Sequence, residues 1–119
     1  MDIYTILVVD DDPGIVAALS LVLEGPYMVH AARSADQAAA ILVERHVDVL
    51  ITDYDLDFRG SGKALLDFAA ARFPRVRRVL YSASPGVAVA SAEVVVEKPD
   101  TLTLIKVVVR MIDGMSPLD

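Results

Sequence analysis

One run restricts the fold of this chain more than any other: Val47-Asp48-Val49-Leu50-Ile51-Thr52-Asp53-Tyr54-Asp55. It is short, rich in Val and Ile, and ends abruptly in carboxylates. A run of this kind reads as a strand buried on both faces, as strands are in parallel sheets. An Asp at its carboxyl end stands at the rim of the sheet, where open α/β sheets bind ligands. Asp53 is therefore the candidate chemical centre, and other residues matter if the fold can bring them to it.

The remaining chain supplies the rest of such a sheet. Tyr4 to Val9 is an apolar run closed by Asp10-Asp11-Asp12. Pro13 suits a first helical turn, and Asp12 before it reads as the cap rather than as a ligand. That helix ends at Gly25-Pro26, and Tyr27 to Ala31 reads as a second strand. Ser34 and Gln37 match a capping box that opens an Ala-rich helix through Arg45. Gly62 to Phe73 reads as a third helix, Val76 to Tyr81 as a fourth strand and Glu93 to Glu97 as a fifth. Asp100 or Thr101 caps a last helix that stops near Gly114. Strands alternating with helices predict one doubly wound parallel sheet in a single α/β domain spanning residues 1–119. The ten residues from Ser84 to Glu93 leave space for one or two turns of a fourth helix, or none.

Composition narrows the function. The net charge is −6, and no basic patch of the kind that holds nucleic acid is evident. There is no cysteine, which excludes disulfides, thiolate catalysis and zinc–thiolate sites. The N-terminus does not read as a signal peptide, and no apolar run approaches the roughly 20 residues of a membrane span, so a soluble cytoplasmic protein is expected.

Strands of a parallel sheet end on one edge. Here those ends carry Asp10-Asp11, Asp53, Ser82 and Lys98. Gathered carboxylates repel, and a hard cation such as Mg²⁺ relieves them while working with phosphate oxygens. Lys98 offers a positive charge to a phosphoryl anion, and Ser82 a hydroxyl donor. A carboxylate nucleophile, a metal, a lysine and a hydroxyl together predict phosphoryl transfer onto Asp53. Packing offers no reason for four charged residues to end apolar strands.

The motifs ILVVDDDP (6–13), DVLITDYDL (48–56), LYSAS (80–84) and VEKP (96–99), in this order, resemble the receiver domain of bacterial two-component response regulators over the whole chain. The resemblance implies a flavodoxin-like five-stranded sheet in the order 2-1-3-4-5. It makes Asp53 the phosphoacceptor, served by a sensor histidine kinase or phosphotransfer protein. Asp11 would bind Mg²⁺ directly, Asp10 mainly through water, and Asp55 through its backbone carbonyl. Ser82 and Lys98 would contact the phosphoryl group, and Lys98-Pro99 would be cis. Asp55 and Ser84 stand where receivers tune dephosphorylation, although Ser84 reads equally as a cap. Asp57 and Arg59 read as solvated loop charges, and His30 and His46 as surface or packing residues.

The sequence departs from the family at the short Ser84–Glu93 connection, at Val95 where an aromatic is usual, and in a loop after Asp53 that lacks the common Pro and reads one residue long. The last helix carries only Thr103, Lys106 and Arg110 as polar residues between Leu102 and Ile112. Its wide apolar arc either covers ground left by a lost fourth helix or forms a dimer or partner surface with strands four and five. Two rivals stay open: a pseudo-receiver that only binds proteins, and a haloacid-dehalogenase-type phosphatase using Asp53-Tyr54-Asp55. An EF-hand reading of Asp53, Asp55 and Asp57 fails, because Phe58 stands where its loop needs Gly and Ala64 where it needs Glu. No output domain is expected within the chain.

Overall fold

The computed structural model describes residues 3–84, 86 and 88–114. Nine elements follow one another: β1 Thr5–Val9, α1 Pro13–Leu23, β2 Met28–Ala32, α2 Ala35–Glu44, β3 Val49–Thr52, α3 Ser61–Arg72, β4 Arg77–Ser82, β5 Val94–Glu97 and α4 Thr101–Ile112. The strands form one parallel sheet in the order β2-β1-β3-β4-β5, as expected. Element ends differ from the sequence reading by one or two residues. β4 runs on by one residue to Ser82, which pairs with Glu97 of β5.

Side chains alternate across the strands and build two cores. Leu7, Val9, Leu50 and Leu80 pack under α2 and α3. Ile6, Val8, Val49, Ile51, Val79 and Val96 pack under α1 and α4. This double burial is why β1 and β3, apart from Thr5 and Thr52 at their ends, are apolar without interruption.

The expected caps form. The Asp12 carboxylate accepts the Gly14 N–H at 2.8 Å, and the Ser34 hydroxyl accepts that of Gln37 at 3.1 Å. Asp100, rather than Thr101, caps α4 by accepting the Thr103 N–H at 3.1 Å. The Asp57 carboxylate is not simply solvated: it reaches the first N–H of α2, Ala35, at 3.4 Å. His46 is a surface residue that pairs with Asp48 at 2.8 Å.

No helix lies between β4 and β5 among the described residues. Val89 from this connection is buried in the α2/α3 core and covers part of the ground a helix would take. Val95, facing the same side, remains 42% exposed. On α4, Leu102 and Val109 are exposed while Leu104, Val107, Val108 and Met111 are buried. The helix therefore sits with one apolar stripe inward and does not spend its wider arc on the sheet.

Gly62 is placed by contact rather than by backbone freedom. It lies in the first turn of α3, and its N–H donates to the Tyr54 carbonyl at 2.7 Å. A Cβ there would lie 1.6 Å from the backbone oxygen of Asp53. α3 can approach the end of β3 only because residue 62 has no side chain. Gly62→Ala should destabilise the fold by about 3 kcal/mol or more, since rigid backbone must move. In Gly14→Ala the new Cβ meets only the Asp12 carboxylate, at 3.2 Å, and stability should stay within about 1 kcal/mol of wild type. Urea unfolding of both variants tests the contrast; equal behaviour would remove the close-approach account.

Candidate functional site

Parallel register brings the strand ends together. Val9 of β1 is level with Thr52 of β3, so Asp10 and Asp53 leave adjacent strands side by side. Lys98 follows β5, and its backbone N–H extends the ladder by donating to the Ser82 carbonyl at 2.9 Å. The Lys98 side chain then crosses to the centre of the edge. Its Nζ lies 2.5 Å from Asp10 Oδ2 and 3.0 Å from Asp53 Oδ2. Residues 88 and 45 positions apart thus share one ammonium.

Asp10, Asp11 and Asp53 each offer a carboxylate oxygen within 4.8 Å of the others. Asp10 is buried, Asp53 half-buried and Asp11 exposed. Both Asp10 oxygens are in use, since Oδ1 accepts the Asp12 N–H at 3.0 Å. Asp53 Oδ1 accepts the Tyr54 N–H at 2.7 Å. The Asp11 carboxylate has no hydrogen-bond partner among the described residues.

Electrostatics follow from this placement. Burial raises the Asp10 pKa, and the Lys98 hydrogen bond only partly offsets it. Burial also opposes the charge on Lys98, yet hydrogen bonds and attraction from Asp10 and Asp53 together hold its pKa above the ordinary value. Lys98 therefore stays an ammonium at neutral pH. Three carboxylates against one ammonium leave an excess of two negative charges in a pocket open on one side. An all-oxygen, doubly negative donor set suits a hard divalent cation such as Mg²⁺.

The other expected residues take definite places. Ser82 is buried, and its hydroxyl accepts the Ser84 N–H at 3.2 Å. The Asp55 carboxylate turns away to the Gly60 N–H at 2.6 Å, which leaves its backbone as its means of reaching an ion. Lys98-Pro99 is cis, as expected. His30 and His46 are not among the gathered acids.

Three contributors were missed in the sequence. Ser61 is fully buried and pins the loop after Asp53, accepting from the Leu56 N–H at 2.9 Å and donating to the Phe58 carbonyl at 2.7 Å. Gly62 supplies the close approach described above. Tyr81 is buried beneath Lys98, with Nζ 5.8 Å from the ring centroid and the phenol 3.3 Å from the Thr101 hydroxyl. The apolar run of β4 hid Tyr81, whereas the Gly60-Ser61-Gly62 series was a readable sign of a tight loop-to-helix entry.

Comparison with known proteins agrees with this geometry. The response regulator receiver domain profile matches residues 6–108. The signal receiver domain of an HD-domain-containing protein from Pseudomonas fluorescens is 26% identical, with a TM-score of 0.87, over 95% of this chain and 97% of that one. A CheY-like receiver domain from Methanospirillum hungatei, 22% identical, shares the fold with a TM-score of 0.84 over 95% and 96% of the two chains. NtrX from Brucella abortus is 28% identical with a TM-score of 0.83; the match covers 95% of this chain and 28% of that one. A comparison with curated proteins found no match. With a family match over most of its length and the fold and acid pocket in place, this chain belongs to the response regulator receiver domain family.

Proposed function

We propose that the domain is a phosphoacceptor switch of a two-component system, taking a phosphoryl group onto Asp53 from the phosphohistidine of a sensor kinase or phosphotransfer protein. The observation that carries this reading is the Lys98 ammonium held against both Asp10 and Asp53, with Asp11 alongside. In the transfer, an Asp53 carboxylate oxygen forms a bond to phosphorus as the phosphorus–nitrogen bond to the donor imidazole breaks. The electron pair leaves with the imidazole nitrogen. Lys98 is close enough to Asp53 to pair with the arriving phosphoryl oxygens, and Ser82 stands on the neighbouring strand end as a hydroxyl donor. Both are charge-stabilising roles.

Asp11 and Asp53 would hold Mg²⁺ directly, with the Asp55 carbonyl, and Asp10 would act through water. The assignment for Asp11 is supported by its carboxylate's lack of a protein partner, and that for Asp10 by its two engaged oxygens. Bound Mg²⁺ supplies positive charge to phosphoryl oxygens. The domain then catalyses only its own phosphorylation and dephosphorylation. The net charge of −6 argues against direct nucleic-acid binding. Among the described residues no helix is long and apolar enough to cross a membrane, and a kinase donor implies the cytoplasm.

Exposed Val95 and the lack of a helix between β4 and β5 among the described residues favour one alternative, a pseudo-receiver that keeps the fold as a protein-binding module. Intact-mass spectrometry with acetyl phosphate and Mg²⁺ separates the two. One phosphoryl adduct in wild type, absent in Asp53→Asn and strongly reduced in Asp11→Asn, is the expected result. No adduct with acetyl phosphate, phosphoramidate or a phosphorylated donor protein leaves only the module. Steady turnover of a phosphomonoester would instead favour the phosphatase reading.

Metal binding has its own readout. Mg²⁺ should raise the thermal midpoint of wild type, by a free energy of about 1.4 kcal/mol at ten times Kd. It should do little for Asp11→Asn. An identical response in both proteins would remove Asp11 as a ligand.

The exposed apolar residues of β5 and α4 are proposed as the switched surface, for a second copy or a target. Sedimentation velocity with beryllofluoride and Mg²⁺ should show a dimer that Leu102→Glu weakens at least severalfold. A monomer at high concentration, with and without the analogue, would rule out the dimer form.

A further inference from the structure

At the opposite edge of the sheet from Asp53, the carboxyl end of α2 and the link between α3 and β4 enclose a groove of about 500 Å³. Leu42, Val47 and Val76 are buried along it, and Phe73 is half-buried. Val43 stands on its wall, 60% exposed. Arg45, His46 and Arg75 supply its charged and titratable lining, Pro74 adds a further apolar wall, and no acidic residue lines it. This is a cationic rim around an apolar floor, on a chain whose overall charge is −6.

The state of these cations separates them from their neighbours. Arg77 and Arg78, just beyond, are paired with Glu93. His46 is paired with Asp48. Arg45 and Arg75 have neither an ion pair nor a side-chain hydrogen bond among the described residues. Arg72 adds a further guanidinium beside the groove, 5.9 Å from the Phe73 ring centroid.

Guanidinium groups favour carboxylate, sulfonate and phosphate oxygens, with which they form directed, charge-assisted bonds. An apolar floor contributes only if the ligand has apolar surface to bury. The volume lies within the range of roughly 300–1,000 Å³ usual for small-ligand sites. A polyanion would call for cations spread along a face; here they border one hollow. We propose that this groove binds a small organic anion, its acid group held by Arg45 and Arg75 and its aromatic or acyl body laid along Val43, Val47, Phe73 and Val76. The site is remote from the acid pocket and stands or falls independently of phosphorylation. Because the groove joins α2 to the start of β4, an occupant would stabilise the folded domain by mass action.

The probe is 8-anilinonaphthalene-1-sulfonate, which combines an aromatic body with one sulfonate. It would be titrated into the full chain and followed by fluorescence and backbone amide NMR. The expected result is a single saturable site, with shift changes gathered in residues 42–47 and 73–76 and a rise in thermal midpoint. Arg45→Gln/Arg75→Gln alters exposed side chains that belong to neither core and should weaken the probe by about tenfold, two exposed charge contacts' worth. Shifts centred elsewhere, or unchanged affinity in the double variant, would overturn the proposal. Sulfate alone giving the same saturable shifts would overturn the need for an apolar body. A response to a short DNA duplex but not to the probe would overturn the small-ligand assignment in favour of a polyanion surface.

Discussion

The Lys98 ammonium is what makes three neighbouring acids tolerable. At an effective dielectric of about 20, each of its contacts with Asp10 and Asp53, at 2.5 and 3.0 Å, amounts to roughly 5–7 kcal/mol of gross attraction. On the same scale two carboxylate oxygens within 4.8 Å of each other repel by roughly 3 kcal/mol or more, so three such pairs cancel most of the attraction. Desolvation takes several kcal/mol more from each buried ion. Asp11 is exposed and solvent screens its share. The pocket therefore gains little stability from its ion pairs. What the fold imposes instead is a standing excess of negative charge at one point, which cations relieve.

That point depends on β5 reaching the sheet in the right register, although no helix precedes it in the connection among the described residues. Two arginines at the start of β4 do much of this. Arg78 donates to the Ser91 carbonyl at 2.7 Å and to the Val76 carbonyl at 2.7 Å. Arg77 pairs with Glu93 at 2.7 Å and donates to the Met111 carbonyl in the last turn of α4 at 3.1 Å. Ser91 also donates to Asp67 of α3 at 2.6 Å. Buried Val89 fills the core beneath. The connection is thus fastened at its far end by polar contacts and plugged by one side chain. Glu93 then donates its N–H to the Arg78 carbonyl at 2.9 Å, and the ladder that ends at Lys98 begins.

This division explains what the sequence made readable. The strands, their parallel direction and the meeting of Asp10, Asp53 and Lys98 follow from apolar runs that each stop at a polar residue, whereas the strand order came from the resemblance to receiver domains. Such patterns are local and regular. The caps at Asp12 and Ser34 are local too and were equally legible, whereas the cap of α4 was narrowed only to Asp100 or Thr101. Less legible were contacts set by tertiary distance. The Gly60-Ser61-Gly62 series signals a tight entry to α3, but not that it is the Asp53 carbonyl that the missing Cβ of Gly62 admits. Nothing near Asp57 tells that it reaches across to the first turn of α2. The pairing of Arg77 with Glu93 depends on a connection whose path local propensity does not determine. Strand ends shifted by a residue or two because edge pairing, not composition, decides where a ladder stops.

The position of the buried aromatic connects Lys98 to the start of α4. Val95 faces the bare side of β5 and offers only methyl groups there. Tyr81 lies one strand inward and on the other face, within the α1/α4 core. Its ring is beneath Lys98 Nζ and its phenol meets the hydroxyl of Thr101, the first residue of α4. Thr101 also bonds back to the Pro99 carbonyl at 3.3 Å, next to Lys98 in the chain. A displaced ammonium would alter its contact with the Tyr81 ring, whose far end touches the start of α4. The contacts leaving Lys98 therefore lead to the helix that presents Leu102 and Val109 to solvent. An aromatic at position 95 would stand on the wrong face of the sheet to join them. This route does not depend on a helix between β4 and β5, because none of its atoms belongs to that connection.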